Sequence, residues 1–283
     1  MYFTRKYRLL IWGISISECI LLVIVSILYG LYVPVPPYYI PLNLKFNNVI
    51  ALCLIVALLP PSIAEYSNLK YMENVDRQIS AFIRDMASGV SSDLTLLKAM
   101  EKASETVKGP LEREVKNLLR RFMLGESFSK ATSNLGERLR TAYARQLSSM
   151  IALAYEAGAR MPEIMSATEA FFTTISEYKD ERSAKMRPYL FVFYLATIIS
   201  LIVSYFSLNS FLIPLIASPI TFLPVVRLSP DYLKSLFFYL SMVESIFSGL
   251  LGGKISNGRL VAGLPHALIL TILTLIFFNL LVF

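Results

Sequence analysis

Residues 65–89, EYSNLKYMENVDRQISAFIRDMASG, decide how the chain is read. Ile79, Phe82, Ile83 and Met86 recur at i, i+3, i+4 and i+7, the spacing that gathers side chains on one face of a helix. Charged residues such as Arg77, Arg84 and Asp85 fill the intervening positions, as on a helix with a watered face. This character persists to about Arg187. Between Glu65 and Arg187 lie 19 Lys/Arg and 17 Asp/Glu, 36 of the chain's 47 charged residues. The sequence on either side is mostly apolar, so a water-soluble island projects from a membrane-embedded remainder.

Composition agrees. Across 283 residues, 55% are hydrophobic and only 17% charged, and the mean hydropathy is +0.57. A soluble domain carries more charge than that, and here the apolar excess falls in blocks. The formal net charge of +7 is not a nucleic-acid signal, because the island holds a near balance of signs. The remaining basic residues stand in short juxtamembrane pieces such as Arg5, Lys6 and Arg8, where they orient segments toward the cytoplasm. No nucleic-acid partner is expected; membrane lipid is. The two cysteines, Cys19 and Cys53, fall in apolar runs and read as small core residues rather than a disulfide or metal pair.

Outward from the island, Leu9 to about Val33 is apolar for longer than the roughly 20 residues a bilayer requires. Tyr29, Tyr32 and Tyr38–Tyr39 follow it where a cleavable signal would carry small residues, so it reads as a permanent span. Glu18 lies near its middle, either as a functional carboxyl or paired with a polar group on a neighbouring helix. Pro34, Pro36, Pro37 and Pro41 interrupt helix through Val33–Asn43. Phe46 to about Ile63 returns across the membrane, with Pro60 and Pro61 near its exit. The basic tail and near-neutral loop place the N-terminus and the island in the cytoplasm.

Within the island, further helical stripes appear at Leu111, Val115, Leu118 and Phe122. Leu139, Tyr143, Leu147, Met150 and Ala154 form another, as do Ile164, Thr168, Phe171, Ile175 and Tyr178. No stretch alternates with period 2. Gly89, Gly109–Pro110, Gly125, Gly136 and Gly158 punctuate the stripes, with Ser91, Ser92 or Asp93 as one N-cap and Ser127 as another. Helices are expected near 70–88, 93–107, 110–123, 127–135, 137–157 and 161–186. The fold class is all-α: polytopic transmembrane helices flanking one cytoplasmic up-down bundle of about six helices. The domains follow as 1–64, two N-terminal transmembrane helices; 65–187, the bundle; and 188–283, a C-terminal region with two to four membrane segments. Tyr189–Leu208 and Leu260–Phe283 are clear spans. Phe211–Val226, with Pro214, Pro219 and Pro224, is a kinked span or a re-entrant piece. Leu236–Leu251, which contains Glu244, spans or lies on the surface. Lys254 or Arg259 is the expected partner of Glu244 in the second case.

Several junctions resemble those of a known family, the F-type platform proteins of type II secretion, type IV pilus and archaellum machines. Phe82-Ile83-Arg84-Asp85-Met86-Ala87-Ser88-Gly89, followed by Leu97-Lys98-Ala99, looks like the entry to the family's cytoplasmic module. Gly125-Glu126-Ser127-Phe128-Ser129-Lys130-Ala131 and Tyr155-Glu156-Ala157-Gly158-Ala159-Arg160-Met161 look like its later junctions. Arg182-Ser183-Ala184-Lys185-Met186-Arg187-Pro188-Tyr189, with Tyr194, and Gly263-Leu264-Pro265-His266-Ala267 resemble the archaeal branch. The likeness covers roughly residues 77–283. Many members carry two such modules in one chain and this chain carries one, so a homodimer or a sister platform subunit is implied. The resemblance also implies a cytoplasmic-membrane protein on which a secretion-type hexameric ATPase docks and pilin-like subunits are inserted.

Chemical motifs are sparse. No phosphate-binding loop or His-Glu-x-x-His occurs, and a single histidine, His266, excludes His-based metal clusters. Ser248–Gly249 reads as helix packing rather than an intramembrane protease site. No cofactor and no enzymatic activity are expected. The charge-dense run Glu112–Arg121 is either a solvated face or a docking surface for an acidic partner. Arg113, Lys116, Arg120 and Arg121, with Lys179 and Arg182 on the last bundle helix, are the candidate ATPase-docking residues. Glu18 and Glu244 are candidate intramembrane polar contacts. The competing reading is a membrane scaffold or sensor that recruits cytoplasmic signalling partners. A transporter would show inverted repeats, and none is visible.

Overall fold

The computed structural model describes residues 5–32, 40–217 and 229–282. Among these no strand occurs, and the helices are α1 (Arg5–Leu28), α2 (Leu44–Ser91), α3 (Leu96–Thr106), α4 (Pro110–Met123), α5 (Phe128–Leu139), α6 (Ala142–Glu156), α7 (Met161–Phe206), α8 (Ile213–Ala217), α9 (Pro230–Asn257) and α10 (Leu264–Phe277). The expected all-α class holds. The chain divides into two compact units: one contains Ser67–Arg182, the other combines Phe3–Tyr66 with Ser183–Phe283. Helices α2 and α7 contribute residues to both.

In the first unit, six helical segments enclose one apolar core. Ile79, Phe82, Ile83 and Met86 are fully buried, as the opening stripe requires, together with Met100, Leu111, Val115, Leu135, Leu147 and Ile151. Cross-helix ties sit around this core. The Thr106 hydroxyl donates to Asp85 at 2.5 Å, and Arg138 pairs with Glu114 at 2.9 Å. Thr141 caps α6 by accepting from the Ala144 amide. Gly109 and Gly125 hold φ of +116° and +93°, left-handed values that admit glycine without a Cβ penalty, and Pro110 then opens α4.

Four local expectations change. Gly89 does not end its helix, because α2 runs on to Ser91. Its missing side chain serves packing instead: a Cβ there would stand 3.1 Å from that of Ala99 on α3. The α3 cap is Thr95, not Ser91, Ser92 or Asp93. Gly136 lies inside α5, which stops at Arg140 with φ 55°; a Cβ at Gly136 would meet Ser148 Oγ at 2.7 Å, so this glycine admits α6. On α7 the inward stripe is Met165, Thr168 and Phe172, with Ile164 and Ile175 partly covered, while Phe171 and Tyr178 face out. Both stripes share Thr168 and Ile175, so periodicity alone does not separate them.

The second unit holds the apolar stretches. Among the described residues, five helices are long and apolar enough to cross a membrane, within Lys6–Leu28, Leu44–Ser91, Gly158–Ile216, Pro230–Asn257 and Leu260–Val282. The chain is therefore a multi-pass membrane protein. Pro60 and Pro61 remain inside α2, and Pro188 inside α7; each removes a ladder donor without ending the helix. Leu236–Leu251 belongs to the 28-residue helix α9. Of Phe211–Val226, only the part to Ala217 is described, a π turn (Ser207–Leu212) followed by α8; Pro219 and Pro224 lie outside the described residues, as do Pro34, Pro36 and Pro37.

Lipid tails are as apolar as leucine, so helices here are held by close packing and polar contacts. Helix α9 presents Ser245, Gly249, Gly253 and Ser256 buried at helical spacing, against Gly263, Ala267, Thr271 and Thr274. A Cβ on Gly249 would fall on the Ala267 backbone, and one on Gly253 on that of Gly263. Ser245 and Thr274 share a hydrogen bond at 2.6 Å. At Gly252 the obstacle is only the tip of Leu190, 2.8 Å away. Gly253→Ala should therefore destabilise by about 1–3 kcal/mol through overpacking against backbone, and Gly252→Ala by clearly less. Thermal unfolding of the detergent-solubilised protein, followed by circular dichroism, measures both.

Candidate functional site

Helix α4 carries the densest charge and the clearest two-sidedness. Leu111, Val115, Leu118 and Leu119 turn inward, and Arg113, Lys116 and Arg120 form an exposed row at i, i+3 and i+7. Lys116 pairs with Glu112 one turn back at 2.7 Å, and this hydrogen bond lowers the Glu112 pKa below the ordinary carboxylate value. Arg121 stands 3.8 Å from Glu126, which also meets Lys130 at 3.9 Å. Arg113 and Arg120 have no ion-pair partner among the described residues, so their charge stays available to another molecule.

Lys179 is differently placed. Its ammonium pairs with Asp76 of α2 at 3.0 Å and stands 3.6 Å above the centroid of the Tyr143 ring. Tyr143 in turn packs edge-on against Phe172. Burial works against the ammonium, but Tyr143 and Asp76 outweigh it, and the Lys179 pKa is raised above that of an ordinary lysine. This residue ties α2, α6 and α7 together and has little charge left to offer. Arg182, one turn further along α7, is exposed. No described contact joins Lys179 or Arg182 to the α4 row.

One feature beside the α4 row escaped the sequence reading. Met123 and Leu124, at the turn into α5, are 76% and 83% exposed. They extend from an aromatic cluster in which Phe128 stacks on Tyr155 at 4.1 Å and Phe122 meets both edge-on. A turn ordinarily uses small polar residues; here an apolar pair projects beside Arg120, Arg121 and Lys130. The signal was present in Phe122-Met123-Leu124, an apolar run carried up to the glycine of the turn. An exposed apolar centre with a basic rim has the anatomy of a protein-docking surface.

The two carboxylates in apolar helices part company. Glu244 accepts a hydrogen bond from the Ser200 hydroxyl at 2.5 Å, joining α9 to α7; this replaces the expected pairing with Lys254 or Arg259. Glu18 is exposed on α1. Tyr194 and His266 share a hydrogen bond at 2.9 Å between α7 and α10. Asn47 is fully buried, donating to Ser235 and accepting from Tyr239. Among the described residues, no group of three or more His, Cys, Asp or Glu side chains is arranged to hold a metal ion.

Residues 82–208 match the family model described as type II secretion system (T2SS), protein F. The chain thus carries a protein F domain, consistent with the family that the junction motifs resemble. A relative from Methanocaldococcus jannaschii, itself described as uncharacterised, is 24% identical over 222 residues, covering 78% of this chain and 36% of its own. The chain spans about a third of that relative's length. No solved structure matches the chain. The domain match and the membrane-capable helices together make this a multi-pass membrane protein carrying a protein F domain, the domain of secretion-system platform proteins. Such proteins are generally not enzymes and associate with other components of the secretion system.

The division within the candidate residues is measurable. Lys179→Ala should cost about 1 kcal/mol of stability, from a cation–π contact and a partly exposed ion pair. Arg120→Ala should stay within about 0.5 kcal/mol. Denaturant unfolding of the full chain in detergent compares them.

Proposed function

We propose that this chain is the membrane platform of a type IV pilus-like, archaellar or type II secretion machine, coupling a cytoplasmic hexameric ATPase to the insertion of pilin-like subunits. The observation that carries the reading is the protein F match over residues 82–208, in a chain with membrane-capable helices before and after its charged unit. The basic tail at Lys6 and Arg8 supports a cytoplasmic N-terminus. With two spans before the bundle, the bundle then faces the cytoplasm. Three further spans, α7, α9 and α10, leave the C-terminus on the opposite side, with Lys254 and Arg259 in a cytoplasmic turn that agrees with the same rule.

In this reading the ATPase docks on the exposed face of α4 and the turn after it. Leu124 and Met123 form the apolar centre, and Arg113, Arg120 and Arg121 steer an acidic partner surface. Motion imposed on the bundle passes along α2 and α7, the helices common to both units. Arg182 lies on that route rather than on the docking face. The chain works beside a second copy or a sister subunit of the archaeal single-module form.

The test uses the full chain in lipid nanodiscs with the purified secretion-type ATPase of the same organism. The wild type should bind it and alter its turnover. Leu124→Asp and Arg120→Glu should each weaken binding about tenfold or more, the scale of a docking hot spot, while Arg182→Ala leaves it unchanged. Absence of binding by the wild type, or equal binding by all variants, overturns the assignment.

A further inference from the structure

Helix α1 is covered along one narrow stripe. Ser15 and Ser26 are buried on it, Arg8, Cys19 and Val23 are partly covered, and most of the remaining positions are exposed. Three contacts show what this stripe meets. Arg8 pairs with Glu65 of α2 at 2.5 Å. Just beyond the far end of α1, the Asn43 side chain donates to the Leu31 carbonyl at 3.2 Å. Between these two ties, the Cys19 and Cys53 thiols share a hydrogen bond.

The steps between these contacts match. Eleven residues from Arg8 to Cys19 lie against twelve from Glu65 to Cys53, and twelve from Cys19 to Leu31 against ten from Cys53 to Asn43. That is the register of an antiparallel hairpin, whose opposed residues advance together at about 1.5 Å each. The thiol pair is therefore a rung of the hairpin, fixed by ties on both sides of it. In the sequence 34 positions separate the two cysteines, and each reads as a solitary core residue. Small side chains at a helix interface let backbones approach closely, a need that Ser15 and Ser26 already meet on the same stripe. Two opposed thiols add a bond that can be made and broken.

Depth decides which reagent reaches this rung. Cys19 lies about 16 Å along α1 from Arg8, near the middle of a hydrocarbon layer roughly 30 Å thick. Glutathione exchanges through a charged thiolate, and hydrocarbon excludes it. Cys53 is 1% exposed, but Cys19 keeps some exposure. It does so on a helix whose apolar window is only 11% buried, the smallest share of the five membrane-capable helices. An apolar molecule among the lipid tails thus reaches the pair through Cys19. Bonding requires the sulfurs to close to about 2.05 Å, an approach that the sparsely covered α1 is free to make. We propose that Cys19 and Cys53 are a redox-active thiol pair served by a hydrocarbon-soluble quinone. The two S–H bonds break and one S–S bond forms. Both electrons and both protons pass to the quinone, which leaves as quinol. The disulfide staples α1 to α2 at mid-membrane, and its reduction releases that staple. The inference uses only the multi-pass reading of the chain and is independent of the ATPase assignment.

Counting free thiols in the wild-type chain tests it. Full-length protein in lipid nanodiscs, reduced and then freed of reductant, is exposed to decylubiquinone, quenched with acid and denatured. A maleimide-polyethylene glycol tag then reports each free thiol as a gel shift. Untreated protein should take two tags and quinone-treated protein none, with one quinol formed per chain and both tags regained after dithiothreitol. Glutathione disulfide, charged and water-soluble, should protect the thiols at least tenfold less. Cys19→Ser and Cys53→Ser should each keep the remaining tag through quinone treatment. Cys19→Ser with Ile20→Cys, which moves the thiol to an exposed position off the stripe, should be protected at least tenfold less than the wild type. Two tags on quinone-treated wild type, tag loss that dithiothreitol does not reverse, disulfide-linked dimers, or equal protection by glutathione disulfide would each overturn the proposal.

Discussion

A backbone amide in hydrocarbon has no water to turn to, and this constraint shapes most of the chain. It forces the apolar stretches to cross as helices and keeps α2 and α7 helical through Pro60, Pro61 and Pro188, where a water-exposed segment would break. It also withdraws the force that normally gathers helices, since leucine gains nothing by leaving lipid for protein. What remains is backbone proximity and polar pairing. The structure uses both, at Gly249, Gly253 and Gly263, and at Asn47–Ser235, Ser200–Glu244 and Tyr194–His266.

The bundle follows the opposite rule. There water is the solvent, and burial of Ile79, Phe82, Ile83, Met86 and their counterparts sets the fold. Side chains held away from that core fare differently. Lys179 is absorbed by Asp76 and Tyr143, whereas Met123, Leu124 and Arg120 are left to the outside. This difference, rather than charge density alone, is what supports the proposed docking face within a run of charged residues that the sequence could only treat as one block.

The sequence disclosed what depends on local periodicity. The all-α class, the bundle stripes and the cap-and-glycine turns at Gly109 and Gly125 were all legible because neighbours three or four residues apart carry them. Misreadings arose where glycine served packing instead of chain reversal. Gly89 and Gly136 look like stops in sequence, and only the Ala99 and Ser148 atoms facing them reveal why they are glycine. The α7 stripe slipped by one residue because Phe171 and Phe172 are equally apolar and only packing chooses between them. The partner of Glu244 was hidden for a different reason: Ser200 is 44 residues away, and nothing local announces it.

The platform assignment requires the bundle to stand on the cytoplasmic side of the membrane. Single substitutions Lys45→Cys and Lys130→Cys, each with Cys19→Ser and Cys53→Ala, report this through a membrane-impermeant maleimide applied to intact cells. Labelling is expected at position 45 in intact cells and at position 130 only after lysis. Labelling at position 130 in intact cells, with position 45 protected, would contradict it.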